Sequence, residues 1–135
     1  MDSIKYCNEV MARLETLMYQ ELSGMAYWKC EFVGTDFIRS QNIEGKTLPE
    51  IVENTTNAIQ KAGITGDIAY KVGGDGVMLK LKVKNCIHHL KEELVKEEGV
   101  APYICPIANM VLDMIHEKLK YETSYLAKIA MDPEK

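Results

Sequence analysis

The sequence predicts a single α+β domain in which about four helices cover an antiparallel β-sheet. Apolar residues recur every three or four positions over most of the chain, but between about residues 68 and 83 they alternate with polar ones. In chain order these patterns read ααββααβ, with a hairpin and a C-terminal strand forming the sheet. A length of 135 residues fits one domain, residues 1–135, since domains usually contain roughly 100–150 residues.

The first element is an amphipathic helix from about residue 3 to at least residue 23. At about 1.5 Å per residue it is ~30 Å long, which is long for so small a domain. We therefore expect it to form the interface of a homodimer. We interpret Cys7, which lies on its apolar stripe, as a small buried hydrophobe. The stripe consists of Ile4, Cys7, Met11, Leu14, Met18 and Met25, and it is widened by Val10, Leu17 and Leu22.

The next segment, residues 26–43, has no clear period but is rich in aromatic side chains. These could line a pocket for a hydrophobic small molecule, although core packing is the simpler interpretation. The candidate pocket residues, from this segment and later ones, are Trp28, Phe32, Tyr70, Met110 and Met114.

A second helix is predicted between Thr47 and Gly63. Thr47 and Glu50 have the spacing of a capping box, which satisfies free N–H groups where a helix begins. Pro49 is tolerated in the first turn, and Gly63 suits a left-handed C-cap.

A β-hairpin follows, with alternating residues on both sides of the turn GGDG at 73–76. One face is apolar. The other could hold an anion, but a solvated face is the simpler interpretation because no aromatic residues lie between its basic ones. The basic residues are Lys71, Lys80, Lys82 and Lys84.

Two further helices are predicted at about 86–98 and 106–119, and a third strand in the final run YETSYLAKIAM. A cysteine stands at the start of each helix. Cys105 precedes Pro106, a preferred first helical residue, so its thiol should lie at the N-cap, where the helix dipole favours a thiolate.

The position of Cys86 leaves two arrangements open. If Cys86 begins a helix, His89 and Glu93 lie on its side and His88 points to the opposite flank. If residues 83–88 are strand and turn, Cys86 and His88 share a side. The metal-ligand candidates are Cys86, His88, His89 and Cys105.

Three hypotheses fit these residues. Zinc could be bound by the two cysteines and one histidine, with Cys30 or a carboxylate as fourth ligand, since zinc takes about four N or S ligands. Cys86 and Cys105 could form a redox pair. Alternatively, the thiols are half-buried and unreactive, and the histidines lie at the surface.

Composition excludes some classes of function. The net charge is −4 and the pI near 5.4, so a nucleic-acid partner is not expected. No apolar run approaches the ~20 residues that span a membrane, and the N-terminus lacks the pattern of a signal peptide. We therefore expect a cytoplasmic protein with reduced thiols.

From about residue 66 onward the chain resembles the 4-vinyl reductase-like, or hydrocarbon-binding, domain family. The resemblance rests on NCIHHLKEELVKEEG, CPIANMVLDMIHEKLKYET and SYLAKIAMDPEK. It implies a small-molecule-binding or sensory domain with Cys86 and Cys105 as conspicuous thiols and a pocket between helices and sheet. The family's closing strand and its further cysteine have no counterpart after MDPEK.

We therefore expect a binding or sensory domain for a hydrophobic small molecule, with a zinc or thiol site. The first alternative is a redox protein or enzyme with Cys105 as nucleophile. It ranks lower because no triad spacing or Gly-rich cofactor loop is present. The second alternative is a scaffold or tethering module without small-molecule chemistry.

Overall fold

The computed structural model describes residues 2–27, 30–73 and 78–119. These ranges contain five α-helices and one two-stranded antiparallel sheet. The α+β class is thus confirmed, with one more helix than expected. The predicted third strand lies in residues 120–135, outside the described residues.

The N-terminal helix α1 (Asp2–Leu22) has nearly the predicted bounds. It is followed by two 3-10 turns, Ser23–Tyr27 and Cys30–Phe32. The short helix α2 (Thr35–Arg39) then begins after Gly34, whose φ of 94° lies in the left-handed region that favours glycine. The described part of the aromatic segment is therefore divided into 3-10 turns and one short helix, which explains its lack of a helical period.

Helix α3 (Leu48–Lys61) follows the prediction closely. The Thr47 hydroxyl accepts a hydrogen bond from the Glu50 N–H at 3.3 Å, and the Glu50 carboxylate lies 3.2 Å from that hydroxyl. Gly63 has a φ of 79°, as a residue just past a helix C-terminus often does.

The hairpin pairs β1 (Ile68–Gly73) with β2 (Met78–Val83), in the register Tyr70 opposite Leu81. Tyr70 and Leu81 pack against the core, whereas the lysines of the other face are exposed. The turn residues 74–77 lie outside the described part of the chain.

Helix α4 (His89–Glu97) starts three residues later than predicted, and α5 (Pro106–Leu119) has the predicted bounds. Asn85 has a φ of 53°, which turns the chain between β2 and α4. Cys86 lies in that turn, and its carbonyl accepts a hydrogen bond from the His89 N–H at 3.1 Å.

Two hydrophobic clusters form the interior. The larger cluster lies among α2, α3, α5 and the apolar face of the hairpin, and its buried members are Ile38, Ile43, Ile51, Val52, Ile59, Ile107, Met110, Val111, Met114 and Ile115. The smaller cluster lies between α1, α4 and the segment before α5, and its buried members are Ala12, Ala26, Cys30, Val95, Val100, Tyr103 and Ile104.

Helix α1 directs polar side chains, and not its large apolar ones, towards the interior. Its buried residues are Asn8, Ala12, Glu15 and Thr16, whereas Leu14 is 56% exposed and Cys7 is exposed. The prediction of a buried Cys7 was therefore wrong. The polar side chains turn inward because they bind groups of α4 and of the segment before α5.

Candidate functional site

Two half-buried thiols and one imidazole lie where α4 and α5 begin. The Cys86 Sγ lies 3.5 Å from His88 Nδ1 and accepts a hydrogen bond from the His88 N–H at 3.4 Å. Cys105 immediately precedes α5 and, like Cys86, packs against the larger hydrophobic cluster. We call Cys86, His88 and Cys105 the thiol–imidazole group, in which the direct contacts are those between Cys86 and His88.

Burial controls the protonation of both thiols. It raises the pKa of Cys86 to about 11, although the hydrogen bond from the His88 N–H opposes the change. Cys105 has the predicted N-cap position, and the Ala108 and Ile107 N–H groups lower its pKa, but burial outweighs them and the pKa is raised. Burial thus opposes the stabilised thiolate expected at Cys105, because the helix terminus lies in an apolar environment.

His88 is kept neutral by its environment. Burial, aided by the nearby Lys91 ammonium, lowers the pKa of His88 to about 4. The imidazole beside Cys86 is therefore uncharged near neutral pH, the form in which histidine binds metals.

His89, the alternative ligand, is not part of the group. Its Nε2 lies 2.7 Å from the Glu93 Oε1 on the surface of α4. Within residues 2–27, 30–73 and 78–119, no three His, Cys, Asp or Glu side chains are gathered closely enough to hold a metal ion as they stand.

A buried ion-pair group, Glu15, Lys91 and Glu92, lies beside the thiols. The Lys91 Nζ donates to Glu15 Oε1 at 2.8 Å and to the Ile104 carbonyl at 2.5 Å, and it also contacts Glu92 Oε1. Its side chain and that of Glu15 are each 2% exposed. Because Ile104 adjoins Cys105, the ammonium lies next to the thiol–imidazole group.

Charge balance keeps this lysine ionised. Burial by itself would lower the pKa of Lys91, but the Glu92 and Glu15 carboxylates outweigh it and the pKa is raised. Burial raises the pKa of Glu92, with Lys91 opposing. The Glu92 Oε2 is buried and has no hydrogen-bond partner among the described residues.

Asn8 links α1 to the N-terminal end of α4 by hydrogen bonds. Its Nδ2 donates to the Ile87 carbonyl at 2.7 Å, and its Oδ1 accepts from the Lys91 N–H at 2.9 Å, a free donor in the first turn of α4. Sequence reasoning missed Asn8, Glu15 and Lys91. The sequence did contain one signal for Lys91. It lies one helical turn before the buried Val95, so it occupies a position of α4 where an apolar residue would be expected.

The predicted pocket residues are spread over several places. Met110 and Met114 are buried in the larger cluster, and Tyr70 packs against it. Phe32 is 51% exposed at the end of a 3-10 turn, and Trp28 lies outside the described residues.

We found no significant match to the chain among protein-family models, curated proteins or solved structures. The resemblance to the 4-vinyl reductase-like family therefore stays a prediction. None of the helices in the described ranges combines the length and apolarity needed to cross a membrane.

Proposed function

We propose that the protein is a binding or sensory domain that takes up a thiophilic divalent cation, such as zinc, on the thiol–imidazole group. The observation that carries the proposal is the 3.5 Å separation of Cys86 Sγ and His88 Nδ1. A tetrahedral zinc ion with a sulfur at about 2.3 Å and a nitrogen at about 2.1 Å holds these two donors about 3.6 Å apart.

The chemistry of the two donors supports the same proposal. His88 is neutral near pH 7 and has a nitrogen directed at the sulfur. A metal ion displaces the proton of a thiol when it binds, so a raised pKa opposes metal uptake without preventing it. Cys105 is the proposed third ligand. It would have to move towards the other two, because no set of three ligands is already assembled within the described residues.

The rival functions have less support. A redox pair needs a thiolate to attack, and burial raises the pKa of both Cys86 and Cys105. A pocket for a hydrophobic ligand needs its lining residues together, whereas Met110 and Met114 are core residues and Phe32 is exposed.

A second candidate function, a scaffold or tethering module, is favoured by α1. Its exposed side is lined by large apolar side chains, which on a soluble protein mark an interaction surface. We propose a homodimer formed through this helix. Both roles are compatible, since a dimer can carry a cation site in each chain.

Metal analysis tests the cation proposal. Protein purified without a chelator should retain about one zinc per chain, or take up Co²⁺ with the absorption bands of thiolate coordination. Cys86→Ser and His88→Gln should lose most of the metal, and Cys105→Ser should weaken binding.

Two variants serve as matched controls. Cys7→Ser changes an exposed thiol and His89→Gln a half-exposed imidazole paired with Glu93, so both should bind metal like the unaltered chain. A chain that takes up no metal, or a Cys86→Ser variant that binds it equally well, would contradict the proposal.

A further inference from the structure

The outer side of α1 has apolar side chains that the described part of the domain leaves uncovered. Val10, Leu14 and Leu17 are 40%, 56% and 44% exposed, and Ile4 and Leu22 extend the same side towards both ends of the helix. At about 100° per residue these side chains and Cys7 occupy one continuous sector of the helix. We call this sector the apolar stripe of α1.

Helix α1 cannot rotate about its axis to bury the apolar stripe, because its inner side is held by polar contacts. Asn8 binds the Ile87 carbonyl and the Lys91 N–H, and Glu15 binds the Lys91 ammonium and the Tyr103 N–H. Rotating the helix to bury its apolar side would leave these buried polar groups without partners, which is costly. The stripe is therefore directed outward by contacts elsewhere on the same helix.

The spacing of the stripe is symmetric about Leu14. Three to four residues away lie Val10 and Met11 on one side and Leu17 and Met18 on the other. An isologous two-fold interface requires such self-complementarity, because a residue on one side of the axis must meet the residue that lies equally far on the other side of the axis in the second copy.

The position of Glu21 favours an antiparallel pair of α1 helices over a parallel pair. Glu21 is the only charged residue on the stripe, seven residues after Leu14, and Cys7 stands seven residues before it. In a parallel pair, Glu21 of each copy would face Glu21 of the other. In an antiparallel pair centred on Leu14, each Glu21 faces the small Cys7 side chain, and the two carboxylates are about 21 Å apart.

We propose that two copies of the chain pack their α1 helices antiparallel, with the two-fold axis passing through Leu14. This inference rests on the homodimer of the proposed function and adds its geometry. The partner is a second copy of the chain because the spacing of the stripe about Leu14 is the same when its direction is reversed. The antiparallel pair also keeps the Glu21 carboxylates of the two copies apart, which the parallel pair does not.

Sedimentation equilibrium of the full chain tests whether the dimer exists. The unaltered protein should be dimeric at micromolar concentrations, and Leu14→Glu should be monomeric because it places two carboxylates on the axis. Gln20→Glu adds the same charge to an exposed position of α1 outside the stripe and should remain dimeric. A monomeric unaltered chain, or a dimeric Leu14→Glu, would overturn both the homodimer and its geometry.

Cross-linking tests the direction separately. With a short bismaleimide linker, a Cys7→Ser/Leu14→Cys variant should form a covalent dimer in high yield, with peptide mapping locating the link at residue 14. The unaltered chain should not be linked through Cys7, whose two copies are about 21 Å apart in the antiparallel pair. Efficient Cys7–Cys7 linkage in a dimeric protein would disprove the antiparallel geometry and leave the homodimer standing.

Discussion

At the scale of single residues, His88 and His89 show how much one position along the chain changes a side chain's chemistry. His88 is half-buried beside Cys86, and burial lowers its pKa to about 4. His89 lies at the surface, paired with Glu93. The sequence left the choice between them open, since it depended on whether Cys86 lies in the helix or in the turn before it.

Two adjacent threonines of α3 give a residue-scale prediction. Thr55 is fully buried, and its hydroxyl has no hydrogen-bond partner among the described residues, whereas the Thr56 hydroxyl donates to the Glu53 carbonyl at 3.0 Å. A buried unpaired hydroxyl costs roughly 1–3 kcal/mol. Thr55→Val should therefore raise the free energy of unfolding by about 1 kcal/mol.

Thr56→Val is the matched control for that change. It removes a hydroxyl that is hydrogen-bonded, so it should leave the free energy of unfolding unchanged or lower it by up to about 1 kcal/mol. Urea denaturation of the two variants provides the comparison. Equal effects would show that the Thr55 hydroxyl is satisfied in solution.

At the scale of elements, α1 serves as an external cap for α4. The N-cap residue His88 makes no side-chain capping bond, and Asn8 of α1 supplies the acceptor for the Lys91 N–H instead. Asn8→Ala would leave that N–H and the Ile87 carbonyl without their partner. The expected loss is roughly 1–3 kcal/mol of unfolding free energy, with faster hydrogen exchange in the first turn of α4.

Asn57→Ala is the control, because Asn57 is exposed in the middle of α3. Its effect on stability should stay within about 0.5 kcal/mol. If Asn8→Ala had an equally small effect, Asn8 would not act as the cap of α4.

The elements also differ in how far local sequence determines them. The bounds of α3 follow from Thr47, Glu50 and Gly63, whose effects on a helix end are local. The orientation of α1 does not, because it depends on Asn8 and Glu15 meeting groups more than 70 residues away. Periodicity gave the apolar stripe of α1 correctly but could not say whether it turns inward or outward.

At the scale of the whole molecule, polar contacts join the two hydrophobic clusters. The Asn109 Nδ2 of α5 donates to the Cys30 and Val33 carbonyls at 2.9 and 3.0 Å. Within the smaller cluster, the Lys91 ammonium connects α1 and α4 to the Ile104 carbonyl, just before α5. The thiol–imidazole group lies at this junction, so its geometry depends on how the two clusters are held together.

Removing the Lys91 charge tests how strongly this residue holds α1 and α4 to the segment before α5. Lys91→Met keeps the length of the apolar stem but leaves Glu15 and Glu92 buried without their cation. Breaking a buried ion pair from one side typically costs about 3–5 kcal/mol, and we expect a loss of that size in chemical denaturation. Since Lys91 binds both α1 and the segment before α5, hydrogen exchange should rise in α1 and α4 before it rises in α3 and α5.

Two further variants distinguish the effect of losing the Lys91 charge from general damage to α4. Lys96→Met, at an exposed position of the same helix, should change stability by no more than about 0.5 kcal/mol. Adding Glu15→Gln to Lys91→Met should recover part of the loss, because it removes one of the two unpaired carboxylates. A loss in Lys91→Met no larger than that in Lys96→Met, or exchange that rises equally in all helices, would mean that this lysine does not hold α1 and α4 to the segment before α5.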